Sequence, residues 1–166
     1  MWISAIFGAP TMPCQTMVAI EGSALKIAVE DLEREVNRDR QLRDLFSHYS
    51  HALLIHSMRS TACNGLHTLT QRCARWILTT LDRVEPAERF SITQEFLAGL
   101  LGSSRPTLTE VVHSLAQAGA IRLNRGVITV ADRRALERAV CECYEIIKEQ
   151  FADVGVRYAE GGNEAD

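Results

Sequence analysis

A short segment, SSRPTLTEVVH at residues 103–113, gathers side chains that could recognise another molecule. If the segment is helical, its exposed side carries six residues: Arg105, Pro106, Thr107, Thr109, Glu110 and His113. Arginine can pair bidentately with a guanine edge, and glutamate can accept a hydrogen bond from the amino group of cytosine. The Ser104 and Thr107 hydroxyls, with the unpaired N–H groups of a helix start, suit phosphate oxygens. The segment therefore indicates DNA recognition, in which Glu110 adds specificity at a cost in electrostatic affinity.

The cysteines and histidines form a second set of chemically reactive side chains. The five cysteines are odd in number and irregularly spaced, and no secretory signal precedes them, which indicates reduced thiols in a cytoplasmic protein. Cys141 and Cys143 form a C-x-C pair within a helical pattern, where residues two apart point away from each other. His48 and His51 are helical neighbours, but no third ligand follows at a suitable spacing. We therefore predict buried thiols and surface histidines, with neither a metal nor another cofactor.

Composition and charge exclude several other classes of protein. No apolar run approaches the roughly 18–20 residues that a membrane span needs, so no membrane partner is expected. The net charge of −3 argues against a protein that coats nucleic acid over its whole surface. The acidic excess lies entirely in residues 127–166, however, and leaves room for a local DNA-binding face. A glycine-rich phosphate loop, an H-E-x-x-H motif and a paired nucleophile and base are all missing from the sequence, so we predict that the protein is not an enzyme.

Capping and turn residues indicate the elements that would position residues 103–113. Thr93 suits the N-cap of a first helix, Gly102 its left-handed end, and Ser104 the N-cap of a second helix that tolerates Pro106 in its first turn. Apolar residues give both helices an inward face: Leu97, Ala98, Leu101, Leu108, Val111, Val112 and Leu115. This order predicts a helix-turn-helix whose second helix, at about 104–118, enters the major groove. The alternative is that the second helix is only the core helix of a small bundle.

A β-hairpin is predicted directly after the second helix. The segment AIRLNRGVITVAD, residues 120–132, alternates apolar and polar residues around a glycine turn. A hairpin in this place is the wing of a winged helix, and it would bring Arg122, Asn124 and Arg125 towards the DNA backbone. The alternative is a wing with a structural role only, in a domain that binds proteins.

A helix of about 25 residues is predicted from Gln41 to about Leu66, because apolar or small residues recur there at three- and four-residue spacing. So long a helix with one narrow apolar stripe favours pairing with a second helix, and we predict a homodimer. The predicted seam has seven residues: Leu42, Leu45, Tyr49, Ala52, Leu53, His56 and Cys63. The alternative is an intramolecular bundle.

The remaining segments complete a fold that we expect to be mainly α with a small amount of β (α+β). The segment MWISAIFGAP, residues 1–10, predicts a buried strand, and residues 14–30 predict a hairpin around Glu21-Gly22-Ser23. Residues 68–84 predict an amphipathic helix that Pro86 stops. Residues 131–151 predict one last amphipathic helix, and the tail at 152–166 is expected to be disordered.

The order of these parts resembles the Crp/Fnr family of bacterial transcription regulators. Three motifs carry the resemblance: LTQRCARWILTTLDRV, ITQEFLAGLLGSSRPTLTEVVHSLAQAGAI and RLNRGVITV. The segment CQTMVAIEGSALKIAVEDLEREV is also similar to the last strands and exit helix of the family's effector-binding β-roll. The resemblance divides the chain into a roll remnant with its exit helix (1–38), a dimerisation helix (39–67), a winged helix-turn-helix domain with a C-terminal helix (68–151) and the tail (152–166).

The resemblance implies a regulator that binds palindromic operators as a homodimer, with the long helix as the dimer seam. By position, it implies phosphate contacts at Thr93, Ser104 and Thr107. It implies base contacts at four further positions: Arg105, Pro106, Thr109 and Glu110. The expected partners are double-stranded DNA and a second copy of the chain, with RNA polymerase as a further candidate.

Departures from the family pattern shape these expectations. Glu110 stands where the family often has arginine, so the operator should differ from that of the cyclic-AMP receptor type. The region of residues 1–13 has no Gly-Glu and no Arg-Ser pair to hold a cyclic phosphate, and the cysteines do not match the iron–sulfur set of the oxygen-sensing branch. We therefore predict neither ligand. Most of the roll is absent, so the alternative function is a dimerising winged-helix module or decoy that pairs with a full-length paralogue and has no operator of its own.

Overall fold

The computed structural model describes residue 18, residues 22–83 and residues 89–161, with side chains described as far as Val154. The chain divides into two compact units. Residues 58–148 form one of them, and residues 1–57 together with 149–166 form the other. The division falls inside two helices that run from one unit into the next.

Seven helices and three short strands follow one another along the described residues. The helices are α1 Val29–Arg38, α2 Arg40–Leu66, α3 Leu69–Leu81, α4 Gln94–Leu100, α5 Arg105–Gln117, α6 Arg133–Ala139 and α7 Cys143–Gly161. The strands are β1 Arg89–Ser91, β2 Ile121–Asn124 and β3 Val127–Val130. The fold is therefore mainly α with a small antiparallel sheet, as the sequence predicted.

The hairpin predicted at residues 14–30 is wrong in its second strand. Residues 22–28 have no regular secondary structure. The first predicted strand of the hairpin, apart from Val18, and the strand predicted at residues 1–10 lie outside the described residues. Leu25 is fully exposed and Ile27 is 54% exposed, so the described residues offer this segment little to pack on, and an isolated two-stranded hairpin is marginal in water.

The long helix α2 runs for 27 residues without a break, about 40 Å at 1.5 Å per residue, close to the predicted bounds. Asp39 separates it from α1, and its carboxylate accepts a hydrogen bond from the Leu42 N–H at 3.1 Å. The Arg43 guanidinium reaches back to the last turn of α1 and donates to the carbonyls of Val36 and Asn37 at 3.3 and 2.9 Å. Arg43 therefore satisfies carbonyls that the end of α1 leaves without partners.

The core of the unit formed by residues 58–148 lies between α3, the helix pair α4–α5, the sheet and α6. A capping box at Thr68 and Gln71 fixes the start of α3. Eleven of the buried residues show the composition of this core: Ile77, Leu78, Phe90, Leu97, Ala98, Leu108, Val112, Leu115, Ile121, Ile128 and Leu136. The inward faces predicted for α4 and α5 belong to this core.

The sheet has strand order β1-β3-β2, with both pairings antiparallel. Arg125 and Gly126 connect β2 to β3, and their φ angles of 46° and 81° are both positive, as a type I′ hairpin turn requires. The Ile92 N–H donates to the Gly126 carbonyl at 2.8 Å and holds the turn against the segment that enters α4. The predicted wing is confirmed.

The single last helix predicted at residues 131–151 is wrong. The chain leaves α6 at Val140, whose ψ of 159° is extended, and α7 begins only at Cys143. No proline or glycine marks this break, so local pattern could not reveal it. The tail prediction is also wrong over residues 152–161, which continue α7, because the apolar spacing of Ile147, Phe151 and Val154 carries the helix onward.

Candidate nucleic-acid interface

The helix pair α4–α5 is built by the caps that the sequence predicted. The hydroxyl of Thr93 accepts the Phe96 N–H at 3.2 Å, and that of Ser104 accepts the Thr107 N–H at 3.3 Å. Between the helices, Gly102 adopts a φ of 59°, and the Ser103 N–H donates to the Ala98 carbonyl at 3.0 Å. This is a Schellman turn, which needs a left-handed residue and so favours glycine. The helix-turn-helix prediction is confirmed.

Two further residues hold this pair in place, and sequence reasoning missed both of them. The Gln94 amide oxygen lies 2.7 Å from the Thr109 hydroxyl and joins the start of α4 to the second turn of α5. The Arg72 guanidinium of α3 donates to the Leu101 carbonyl at 2.9 Å, at the end of α4. Arginine near a helix end is a weak sequence signal, and the partner of Gln94 is fifteen residues away, so neither role could be read from spacing.

The first turns of α5 present the predicted recognition residues to solvent. Five of the predicted residues on α5 are exposed: Arg105, Pro106, Thr107, Glu110 and His113. The two N-cap residues Thr93 and Ser104 are exposed as well. The Thr93 hydroxyl accepts a hydrogen bond at its N-cap and still carries a hydrogen that it can donate to a phosphate oxygen. The Ser104 and Thr107 hydroxyls lie 2.8 Å apart, so one donates to the other and one hydrogen is left for a phosphate.

Thr109 differs from the other predicted residues because it is half-buried. Besides Gln94, its hydroxyl lies 2.9 Å from the Arg105 carbonyl, so its hydrogen is committed inside the chain. The structure gives Thr109 a role in joining the two helices. A direct base contact by its hydroxyl stays a prediction.

The wing carries three exposed polar residues that the sequence predicted to face DNA: Arg122, Asn124 and Arg125. The structure adds Arg89, which sequence reasoning did not select. Arg89 on β1 and Arg122 on β2 both stand opposite Thr129 of the central strand, so the two arginines occupy one row on the outward face of the sheet. The two arginines lie in one row only because β1 pairs with β3 of the wing. A strand of three residues is too short for its sequence to predict that pairing.

The predicted dimer seam on α2 lies on the side of the helix that its own chain covers. Tyr49 and His56 both make edge-to-face contacts with Phe151 of α7, at centroid distances of 5.9 and 6.1 Å. Ala52 and Cys63 are buried, and the other three predicted seam residues are half-buried: Leu42, Leu45 and Leu53. The intramolecular alternative therefore accounts for much of this stripe, and Ala52 and Cys63 are too deeply buried within their own chain to form a seam.

The opposite side of α2 is exposed and partly apolar. Leu54 is 58% and Met58 60% exposed, and half-buried Ile55 with exposed Ala62 and Gly65 extends the stripe along the helix. From Ile55 the residues Met58, Ala62 and Gly65 follow at alternating three- and four-residue spacing, which is the pattern of a coiled-coil seam.

An ion-pair network joins α3, α6 and α7. The Arg133 guanidinium lies 2.6 Å from the Asp82 carboxylate and donates to the Tyr144 hydroxyl at 2.7 Å, while Tyr144 donates to Asp82 at 2.9 Å. The hydrogen bond to Asp82 raises the pKa of Arg133, and burial raises the pKa of Tyr144, as does its hydrogen bond to Asp82. The network ties α6 and the first turn of α7 to the end of α3.

A cluster of cysteine and histidine side chains lies at the end of α2. The Sγ atoms of Cys63 and Cys141 are 3.6 Å apart, and the Cys143 Sγ is 3.8 Å from the His67 Nδ1. The four ligand atoms all lie within 4.8 Å of one another. Burial raises the pKa of Cys141 to about 12 and raises that of Cys143. The premise that Cys141 and Cys143 point apart on one helix is wrong, because Cys141 precedes α7.

Together, the capped helix pair, the recognition surface at the start of α5 and the hairpin wing define a winged helix-turn-helix domain of the DNA-binding class. Residues 71–139 match the Crp-like helix-turn-helix domain. This match, together with the relative described next, assigns the helix-turn-helix domain of the chain to the Crp/Fnr family.

Known proteins resemble the chain in sequence or in fold. The chain is 34% identical over 127 residues to the cyclic AMP receptor protein of Thermus thermophilus, covering 70% of this chain. Its fold is similar to that of FixK2 from Bradyrhizobium japonicum (TM-score 0.62, 18% identity, 69% of this chain). It is also similar to that of a Eubacterium rectale protein described as a transcriptional regulator of the crp/fnr family (TM-score 0.50, 22% identity, 67% of this chain).

The chain spans only part of the length of these relatives. It covers 58% of the cyclic AMP receptor protein, 60% of FixK2 and 51% of the Eubacterium rectale protein. Among the described helices, none has the length and apolar character needed to cross a membrane.

Proposed function

We propose that the protein regulates transcription by binding a palindromic operator as a homodimer, with α5 in the major groove. The observation that carries this proposal is the exposed set of recognition residues at the capped start of α5, flanked by the arginines of the wing. In helix-turn-helix proteins the N-terminal part of the second helix faces base edges.

Within this arrangement each side chain has a role that suits its chemistry. Arg105 pairs with a guanine, and Glu110 accepts from a cytosine amino group. The two residues lie about 1.4 turns apart on α5, so they select different bases. Pro106 and Thr109 lie beside them. Thr93, Ser104 and Thr107 hold phosphates, since their hydroxyls and nearby N–H groups lie at helix starts. His113 lies further along the same helix.

The wing supplies the positive charge that the recognition helix lacks. Arg122 and Arg125 contact the DNA backbone, and Asn124 can donate to it. Arg89 joins them, because it shares the Thr129 row with Arg122. Glu110 repels phosphates, so these arginines offset a cost that base selection imposes.

The homodimer forms through the exposed stripe of α2 rather than through the stripe that α7 covers. Leu54, Ile55, Met58, Ala62 and Gly65 form this exposed stripe, and a second copy of the same helix would cover them. The support is twofold. The spacing is that of a coiled coil, and the small residues Ala62 and Gly65 allow two helices to approach closely.

A selection from random duplex DNA tests the operator. We expect an enriched palindrome whose half-sites are centred about 34 Å, one helical turn, apart. Enrichment of a single half-site would contradict the dimer, and no enrichment at all would favour the decoy, which has no operator of its own.

A charge placed in the stripe tests the seam. Met58→Glu should convert the dimer to a monomer in sedimentation velocity, because two copies would bring like charges together in an apolar contact. Leu100→Glu is the matched control, since Leu100 is also an exposed apolar residue but lies on α4. A dimer that survives Met58→Glu unchanged would refute this seam.

A further inference from the structure

The Cys63, His67, Cys141 and Cys143 cluster has the composition of a metal site rather than that of a thiol core. Cys63 and His67 are four residues apart at the end of α2, so both side chains face one way. Cys141 and Cys143 approach them from the connection between α6 and α7. The three cysteines are buried and His67 is half-buried, so none of the four side chains is exposed to solvent.

We propose that these four side chains bind one Zn²⁺ ion in a closed tetrahedral site of three thiolates and one imidazole. None of these four side chains belongs to the DNA-recognition surface, so the zinc site can be tested independently of the proposed function. On binding, each cysteine gives up its proton to solvent and bonds to the metal as the thiolate.

The distances fit a tetrahedron around zinc. A Zn–S bond of about 2.3 Å places two sulfur ligands about 3.8 Å apart, and a Zn–N bond of about 2.1 Å gives a slightly shorter S–N distance. The Cys63–Cys141 separation is 3.6 Å, and the separation of the Cys143 Sγ from the His67 Nδ1 is 3.8 Å. No described pair of ligand atoms in the cluster exceeds 4.8 Å, so small side-chain rotations complete the site.

A carboxylate already orients the histidine as metal ligands require. The His67 Nδ1 points at Cys143, while its Nε2 lies 3.2 Å from the Glu142 carboxylate. Histidines that bind metals almost always donate their other N–H to a carboxylate, a carbonyl or water, which fixes the tautomer and strengthens the ligand. Glu142 lies between the two cysteines of the C-x-C pair, so one short segment supplies two ligands and the positioning group.

The ligand set selects the metal. Thiolate and imidazole ligands favour Zn²⁺ over Mg²⁺ and Ca²⁺, which take oxygen ligands. Four protein ligands leave no open position, so the site is structural and not catalytic. The metal would link Cys63 to Cys141, which are 78 residues apart in sequence, and so connect the end of α2 to the α6–α7 connection.

Metal content and a cobalt spectrum test the site. The full chain, purified under reducing conditions, should contain one zinc per chain by mass spectrometry. After removal of zinc with a chelator, Co²⁺ should produce the visible absorption of tetrahedral cobalt with thiolate charge transfer, and Zn²⁺ should abolish it. Cys143→Ala and Cys63→Ala should lose both signals. Cys73→Ala is the matched control, because Cys73 is equally buried but lies outside the cluster.

A milder variant covers the case in which the cysteine variants fail to fold. Glu142→Gln removes an exposed carboxylate and should lower zinc affinity about 10–100-fold in competition with a chelator, without changing the stoichiometry at saturation. Unchanged affinity would show that Glu142 does not position His67 for a metal.

Three outcomes would overturn the zinc site. The first is a wild-type chain that holds much less than one zinc and gives no cobalt–thiolate bands. The second is a Cys63–Cys141 disulfide in place of a metal. The third is an iron–sulfur cluster in protein purified without oxygen.

Discussion

Removal of the Arg122 charge tests whether the wing contacts DNA. Arg122 is exposed on β2 and shares the Thr129 row with Arg89, so it can reach a phosphate without disturbing the core. Arg122→Gln keeps a polar side chain of similar length and removes only the charge. The strand pairing uses backbone groups, which the substitution leaves in place.

The expected effect follows from counterion release. Each phosphate contact contributes about 0.9 to the slope of log affinity against log salt concentration, and a homodimer on a palindrome loses two contacts, so the slope should fall by about 1.8. Between 50 and 200 mM salt, a fourfold range, the wild type should therefore lose roughly tenfold more affinity than the variant.

Fluorescence anisotropy with a labelled duplex of the selected operator, repeated over a salt series, measures this slope. Arg38→Gln is the control, because Arg38 is an exposed arginine of α1 and its loss changes the net charge equally. If Arg122→Gln leaves the slope unchanged, or if Arg38→Gln lowers it as much, the wing does not contact phosphates in the way proposed.

Three further predictions concern the recognition helix and the stability of the fold. Arg105→Ala should cost about 1–3 kcal/mol of operator affinity and relax the preference at one base position in a repeated selection, whereas an equal loss on all sequences would make Arg105 a phosphate contact. Tyr144→Phe, which removes the hydroxyl bonded to Asp82, should lower the free energy of unfolding by about 1–3 kcal/mol in urea titrations, with Tyr49→Phe as a control; an effect below about 0.5 kcal/mol would deny the network its role. Burial raises the pKa of Cys73 from its usual value of 9.0 to about 12, so above pH 9 the thiol ionises in the unfolded chain but stays protonated in the folded one. The free energy of unfolding should therefore be unaffected by this thiol below pH 9 and should fall by up to about 1.4 kcal/mol per pH unit between pH 9 and 12. Cys73→Ala should reduce that slope by the same amount, and an unchanged slope would show that this thiol does not set it.

The winged helix-turn-helix could be predicted from the sequence because local chemistry specifies it. Thr93 and Ser104 cap helices by accepting N–H groups three residues away, and Gly102 adopts a positive φ that glycine tolerates best. The turn at Arg125 and Gly126 is fixed by its own two residues. Each of these signals is contained within a few positions of the chain, so no knowledge of the distant fold is needed.

The features that the sequence did not reveal all depend on contacts between distant segments. The inner side of α2 could not be told from the outer side, because both carry apolar residues and Phe151 lies far along the chain. The break at Val140 has no local marker in the sequence. Its consequence is seen only in the structure, where it lets Cys141 and Cys143 approach Cys63 at the end of α2. Periodicity reports that a helix has an apolar side and does not identify what covers it.

The two sides of α2 suggest why a single helix could serve both assembly and recognition. Its last part, from Met58 onward, belongs to the same compact unit as α5, while its exposed stripe continues through Met58, Ala62 and Gly65. A second copy bound to that part of the stripe would therefore be fixed relative to a unit that contains the recognition helix. The proposed zinc site acts at the same end of α2, where Cys63 and His67 join it to the α6–α7 connection. Loss of the metal should then weaken operator binding by the dimer more than the binding of one half-site by a monomer such as Met58→Glu.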